Sequence, residues 1–197
     1  MRLHRIIIAT ALAAVAFSCS AERNSLTKDE IDLIDSSDSV MRVLTVENEA
    51  DFLVLRTQCA DFRLRDIGSD VYHTLAEKMV ATVTSPEQDG VGIAGPQVGL
   101  TRRVVAVQRF DKEGEPFEVY PNIRIVARKG DMKPGPEGCL SIPGRRGEVM
   151  RYQEVEISYI DPTTLKDTTE TVTDYTAVIF QHECDHLDGI LYTDYLK

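Results

Sequence analysis

Apolar residues recur at Val71, Leu75, Met79, Val80 and Val83 with the spacing of one helix face, which predicts a helix over 71–83. Ser85-Pro86 and Asp89-Gly90 break it. A second helix is expected from Tyr175 to Leu187, with Gly189 as its stop and Ile190-Leu191-Tyr192 beyond. Between them the pattern turns to strands. Val104–Val107 is a continuous apolar run that suits a buried strand, and Phe117–Tyr120 and Ile123–Ala127 read as two more, parted by Pro121-Asn122. Val155, Ile157 and Tyr159 alternate with Glu154, Glu156 and Ser158, a half-buried strand. Asp161-Pro162 turns it toward an antiparallel neighbour over Thr168–Thr173. Residues 129–138 (KGDMKPGPEG) read as a Pro/Gly-rich loop, and Val43–Leu55, where short apolar runs mix with acids, as a strand. Two helices among several short, mostly antiparallel strands make an α+β fold with one core.

The N-terminal residues follow neither period. A basic start, Met1-Arg2-Leu3-His4-Arg5, precedes an apolar run from Ile6 to Phe17 and then Ser18-Cys19-Ser20. That is the layout of a secretory signal, and the run is too short to span a membrane core of about 30 Å. Cys19 stands where bacterial lipoproteins carry their lipid, which would anchor the protein to a membrane; Phe17 departs from the small residues usual there. Residues 20–42 are polar and acidic and read as a tether. The expected division is thus 1–19 signal, 20–42 tether and 43–197 folded domain, with an exported location and, as the alternative, a cytoplasmic one.

With 43% hydrophobic and 27% charged residues, the 197-residue chain has material for one real core. Its net charge of −10, with no basic stripe, excludes a nucleic-acid binder. The four cysteines show no CxxC and no disulfide framework; Cys59 and Cys184 read as buried apolar residues, with a disulfide between them open to an exported protein.

Chemistry concentrates in three segments. His182-Glu183-Cys184-Asp185-His186 is an HExxH run on the second helix, where residues four apart lie about 40° apart around the axis and both imidazoles face one point. Glu183 sits one step round, near enough to serve as a base without being a ligand. A catalytic site needs a third ligand and one open position. The extended HExxHxxGxxH pattern fails because Tyr192 stands at its third histidine, and no Glu follows the motif. The third ligand is therefore sought upstream, where Cys139 in Glu137-Gly138-Cys139-Leu140-Ser141 is the best candidate; read alone, this segment is better explained as a buried cysteine in a turn. Gly90–Gly99 (GVGIAGPQVG) holds four glycines, as backbone in tight turns or near a ligand requires. Gln97 there could donate an amide hydrogen to a developing oxyanion.

Taken together, Gly90–Gly99, Glu137–Ser141 and Gln181–Gly189 resemble, in order and spacing, the peptide deformylase motifs GxGxAAPQxG, EGCLS and QHExDHLxG. The likeness runs over about residues 50–197. Ile93 and Gly95 depart from the usual Leu and Ala of the first motif, and Gly95 is expected to loosen the loop carrying Gln97.

The resemblance implies mostly antiparallel sheets packed around a C-terminal metal-binding helix. It implies one divalent ion, ferrous iron favoured and zinc the alternative, on Cys139, His182 and His186. It makes Glu183 the proton carrier, with the Gln97 amide and the Leu140 N–H holding the oxyanion. Val91, Gly92 and Gly138 would offer backbone hydrogen bonds to an N-formylmethionyl peptide, and Gln181 would support the ligands. Two rivals stand beside this enzyme: a secreted HExxH metallopeptidase, and an exported non-catalytic domain that binds formyl peptides.

Overall fold

The computed structural model describes residues 25–36 and 38–196. The expected signal over 1–19, with Cys19, and the first part of the expected tether lie outside the described residues. The rest of that tether is not a loose arm. Thr27 and Glu30 form a reciprocal cap, Thr27 N–H donating to Glu30 Oε2 (2.8 Å) and Glu30 N–H to Thr27 Oγ1 (3.2 Å). This cap starts α1 (Lys28–Ser36), which buries Ile34 completely, and Met41 follows into the same core. Glu30 also pairs with buried Arg102 at 2.6 Å.

Val43–Leu55 likewise differs from the strand expected of it. Asn48 Oδ1 caps the N–H of Asp51 (3.1 Å) and opens α2 (Glu49–Leu55). Ahead of it the chain is a strap: Leu44 N–H donates to Gln97 O (2.8 Å) and Val46 N–H to Ser141 O (2.9 Å). The short α3 (Leu64–Ile67) leads into α4 (Asp70–Val83), the first expected helix, capped by Ser69. Its Leu75, Met79 and Val83 are fully buried, each contributing about 1.5–3 kcal/mol relative to exposure.

Strands β1 (Gly92–Ala94), β2 (Val104–Gln108) and β3 (Phe117–Pro121) form one antiparallel sheet in the order β1-β2-β3. A second antiparallel sheet holds β4 (Arg124–Cys139), β5 (Ile142–Ile160) and β6 (Asp167–Thr173) in the order β4-β5-β6. The Pro/Gly-rich loop expected over 129–138 is corrected here. It is strand, paired with β5 through Lys133↔Arg151, Pro134↔Met150 and Pro136↔Glu148, with register shifts on either side. Prolines are tolerated because β4 is an edge: among the described residues its outer side pairs with no strand, so the missing N–H groups break no ladder.

Helix α5 (Asp174–Leu187) packs against both sheets. It buries Ala177, Ile179, Phe180, Cys184 and Leu187 against Val105, Val107, Val155 and Ile157. Gly189, at φ +73°, ends it where an added Cβ would lie 2.5 Å from Arg56 O. The chain closes with a 3-10 turn over Tyr192–Tyr195. The α+β architecture around a C-terminal helix is as expected. Among the described residues no helix is long and apolar enough to cross a membrane.

Candidate active site

Helix α5 aims His182 and His186 at the end of β4, and Cys139 Sγ lies 3.2 Å from His186 Nε2. Ligand atoms of Cys139, His182 and His186 all fall within 4.8 Å of one another. A soft sulfur and two imidazole nitrogens suit a tetrahedral ion such as zinc or ferrous iron, with one position left open. Orientation supports the fit. His182 Nδ1 is hydrogen-bonded to Glu137 Oε2 at 2.8 Å, which leaves Nε2 for an ion. Burial opposes a positive charge on His182, yet Cys139 and Glu137 outweigh it and raise its pKa well above the usual histidine value. The same pull would hold a metal cation. His186, buried and facing His182, is held well below the usual value.

Glu137 is fixed in turn by Arg151, which donates from Nε (2.7 Å) and Nη2 (3.0 Å) and reaches Asp185 from Nη1 (2.5 Å). Burial alone would raise the Glu137 pKa; hydrogen bonds from His182 and Arg151 instead lower it to about 2. Tyr195 lies with its ring 4.9 Å from the Arg151 guanidinium. Tyr192, at the position of the missing third histidine, is no ligand. Its ring stacks on His182 at 6.0 Å, and its hydroxyl donates to Arg145 O (2.8 Å).

Glu183 is buried beside these groups, and its Oε2 has no hydrogen-bond partner. Burial raises its pKa to about 7, with His182 pulling the other way, so the carboxylate is poised to take and return a proton near neutrality. Gly92 makes room for it: a Cβ there would stand 2.5 Å from Glu183 Oε1. Gln97 is locked. Its Oε1 accepts from Ala94 N–H (2.8 Å), and Nε2 donates to Ser141 Oγ (3.2 Å), 3.5 Å from Cys139 Sγ.

The loosening expected from Gly95 is therefore corrected. A Cβ at Gly95 would lie 2.5 Å from Arg102 O and 2.8 Å from Leu100 O, so glycine lets the loop close tightly. Gln181 is also corrected. It bonds the backbone of Tyr152 (3.1 and 2.7 Å) and so ties α5 to β5, while Glu137 supports the ligand. Arg151 lies outside all three motifs and carries no signal that marks it in advance, while Asp185 is the fixed acid of QHExDHLxG, with no role that its spacing assigns. Glu137 stood inside EGCLS with no role assigned to it.

Val91, Gly92, Gln97, Gly138, Cys139, Leu140, His182 and Glu183 line one cavity of about 640 Å³. β1 and β4 are edge strands of their sheets, and Gly92 and Gly138 on them both face this cavity. Cys59 and Cys184 stand apart as free buried thiols, pushed up to about 12 by burial.

Known proteins agree with this geometry. The polypeptide deformylase family model matches residues 40–197. A peptide deformylase of Symbiobacterium thermophilum is 47% identical over 113 residues, 57% of this chain and 51% of that protein. That match spans about half the relative's length. A peptide deformylase of Finegoldia magna is 37% identical over 136 residues, 68% of this chain and 75% of that protein. The Met-Ala-Ser-bound class I type b peptide deformylase of Acinetobacter baumannii superposes with a TM-score of 0.70 at 31% identity, covering 80% of this chain and 98% of that one. With all three motifs converging on one cavity, the chain belongs to the polypeptide deformylase family of enzymes.

Proposed function

We propose that this protein removes the formyl group from N-formylmethionyl peptides, releasing formate and a free N-terminal methionine, with one divalent ion held by Cys139, His182 and His186. The observation that carries the reading is that Glu183, the Gln97 amide, Cys139 and His182 line one cavity, with His186 Nε2 buried 3.2 Å from Cys139 Sγ. A bound cation supplies Lewis acidity there; family resemblance favours ferrous iron, with zinc the alternative.

The chain's own residues do the rest. An extended peptide lies between the edges of β1 and β4, where Val91, Gly92 and Gly138 offer backbone groups as an added strand would use them. The carbonyl of Val91 already accepts from Gln108 N–H (2.9 Å), which keeps this segment in line with the sheet. Glu183 accepts a proton from the attacking water and delivers it to the leaving amine. Gln97 Nε2, its amide fixed by the bond from Ala94, and the Leu140 N–H donate to the formyl oxygen as it gains charge.

Formate release from formyl-Met-Ala-Ser by anaerobically purified protein, loaded with ferrous iron or zinc, tests this beside E183A. Metal-dependent release lost in E183A is expected. Equal release by E183A would overturn the assignment of Glu183, and no release with metal bound would overturn deformylation.

The layout of residues 1–19 supports export as part of the same proposal, with Cys19 lipidation as one form of it. Mass spectrometry of the mature N-terminus is expected to find Met1 removed; an intact Met1 start would refute export.

A further inference from the structure

The cavity wall holds two cations that the reaction leaves unused. Arg145 and Arg146 line it, both exposed, and neither guanidinium has an ion-pair or hydrogen-bond partner among the described residues. Arg102, Arg103, Arg109, Arg124 and Arg151 are all paired, and the other exposed arginine without a partner among the described residues, Arg128, lies on a different cavity. Arg145 and Arg146 are also placed. Gly144, at φ +71°, turns the chain, and Arg146 then pairs in register with Gly138. An added Cβ on Gly138 would lie 3.7 Å from Arg146 Cγ, so the Arg146 stem runs beside the glycine that neighbours Cys139. The Tyr192 hydroxyl holds Arg145 by its carbonyl at 2.8 Å, and that ring stacks on His182.

Resting on the deformylase reading, we infer that Arg145 and Arg146 recognise a carboxylate on the substrate two or three residues beyond the formyl-methionine. An extended chain advances ~3.3 Å per residue, so such a group lies about 7–10 Å beyond the methionine. That carboxylate is the free C-terminus of a short peptide or an acidic side chain in a longer one. Two guanidinium forks suit either. Asp89, beside Gly90 on the same cavity, is the negative group that such a substrate must avoid, and it repels a carboxylate on that side.

The test compares kcat/KM for formyl-Met-Ala-Ser as free acid, formyl-Met-Ala-Ser amide and formyl-Met-Ala-Glu amide, using the full-chain metal-loaded enzyme. At low salt the free acid or the glutamyl peptide should exceed the neutral amide by about three- to tenfold, the scale of exposed ion pairs. The gain should lie in KM and shrink at high salt. Which of the two charged peptides leads tells terminus from side chain. In R145Q/R146Q the ratio of charged to neutral substrate should fall to about one. Binding of the product Met-Ala-Ser, as acid and amide, gives the same ratio by calorimetry without turnover. Equal values for charged and neutral peptides at low salt, with formate released from both, overturn this inference and leave deformylation standing. No formate from any peptide overturns both.

Discussion

A single methyl group at Gly92 tests the assignment of Glu183 directly. The added Cβ of Gly92→Ala would stand 2.5 Å from Glu183 Oε1, 2.9 Å from its Cδ and 2.9 Å from Ile179 Cγ2. Ordinary contact needs ~3.4–4 Å, so about an ångström must open. Ile179 and Glu183 lie one turn apart on α5, and that helix is packed against both sheets, so it has nowhere to retreat. The carboxylate is the part that moves. Displacing a proton carrier by about 1 Å costs on the order of 10²-fold in rate, and overpacking costs about 1–3 kcal/mol of stability. Steady-state formate release on metal-loaded protein should show kcat down about 10²-fold with KM nearly unchanged. Metal content and thermal melting would check that the site and fold survive. A kcat within about twofold of the unaltered enzyme, in a protein with full metal, would refute the reasoning.

Glu137→Gln should weaken metal binding about 10- to 100-fold in competition with a chelator, because His182 loses its anionic partner; unchanged affinity would place His182 orientation elsewhere. Glu183, with its pKa raised from 4.5 to about 7, binds more protons folded than unfolded between those values. Its ionisation therefore costs stability as pH rises through that window, by up to about 3 kcal/mol. Metal-free E183Q should melt above the unaltered metal-free protein at pH 8 and close to it at pH 4, and an equal gain at both would contradict the burial argument. In the active enzyme a bound cation beside Glu183 would draw this pKa down, so kcat/KM should rise with pH through a value below 7, read from the pH–rate profile.

Periodicity showed the elements whose side chains pack on one face. Helix α4, strands β2 and β6 and helix α5 all emerged within a few residues of their observed bounds. What it hid had other causes. The Thr27–Glu30 cap lies in the sequence as T-x-x-E, but the acidic residues around it read as solvent-exposed tether, and only the packing of Ile34 makes the helix worth forming. In Val43–Leu55 the helix start, Asn48, falls in the middle of what reads as one extended run, so the pattern conceals the helix. The β4–β5 hairpin was obscured by Pro134, Gly135 and Pro136, whose edge position only the sheet reveals.

At the site, the metal ligands, Glu183 and Gln97 were legible because their spacing carries chemistry. The Glu137–Arg151–Asp185 bridge was not, since it joins three elements whose meeting depends on hairpin register and helix placement. What Gly95 accommodates, the carbonyls of Leu100 and Arg102, comes later in the chain and returns only in three dimensions, so the motif does not show why a glycine stands there.

The strap ahead of α2 has a further consequence. Gln97 and Ser141 are separated by a whole meander of sheet, yet one short stretch, Leu44–Val46, holds a backbone carbonyl of each. The spacing between the oxyanion donor and the segment that follows Cys139 is thus braced by a third piece of chain as well as by the direct Gln97–Ser141 hydrogen bond, the way a gauge block steadies two jaws. Insertions in the hairpin between β2 and β3 leave that gauge untouched, so the length of this connection is free to drift while the reacting geometry stays fixed. A single residue added between Leu44 and Val46 would shift one jaw against the other without touching any group that does chemistry.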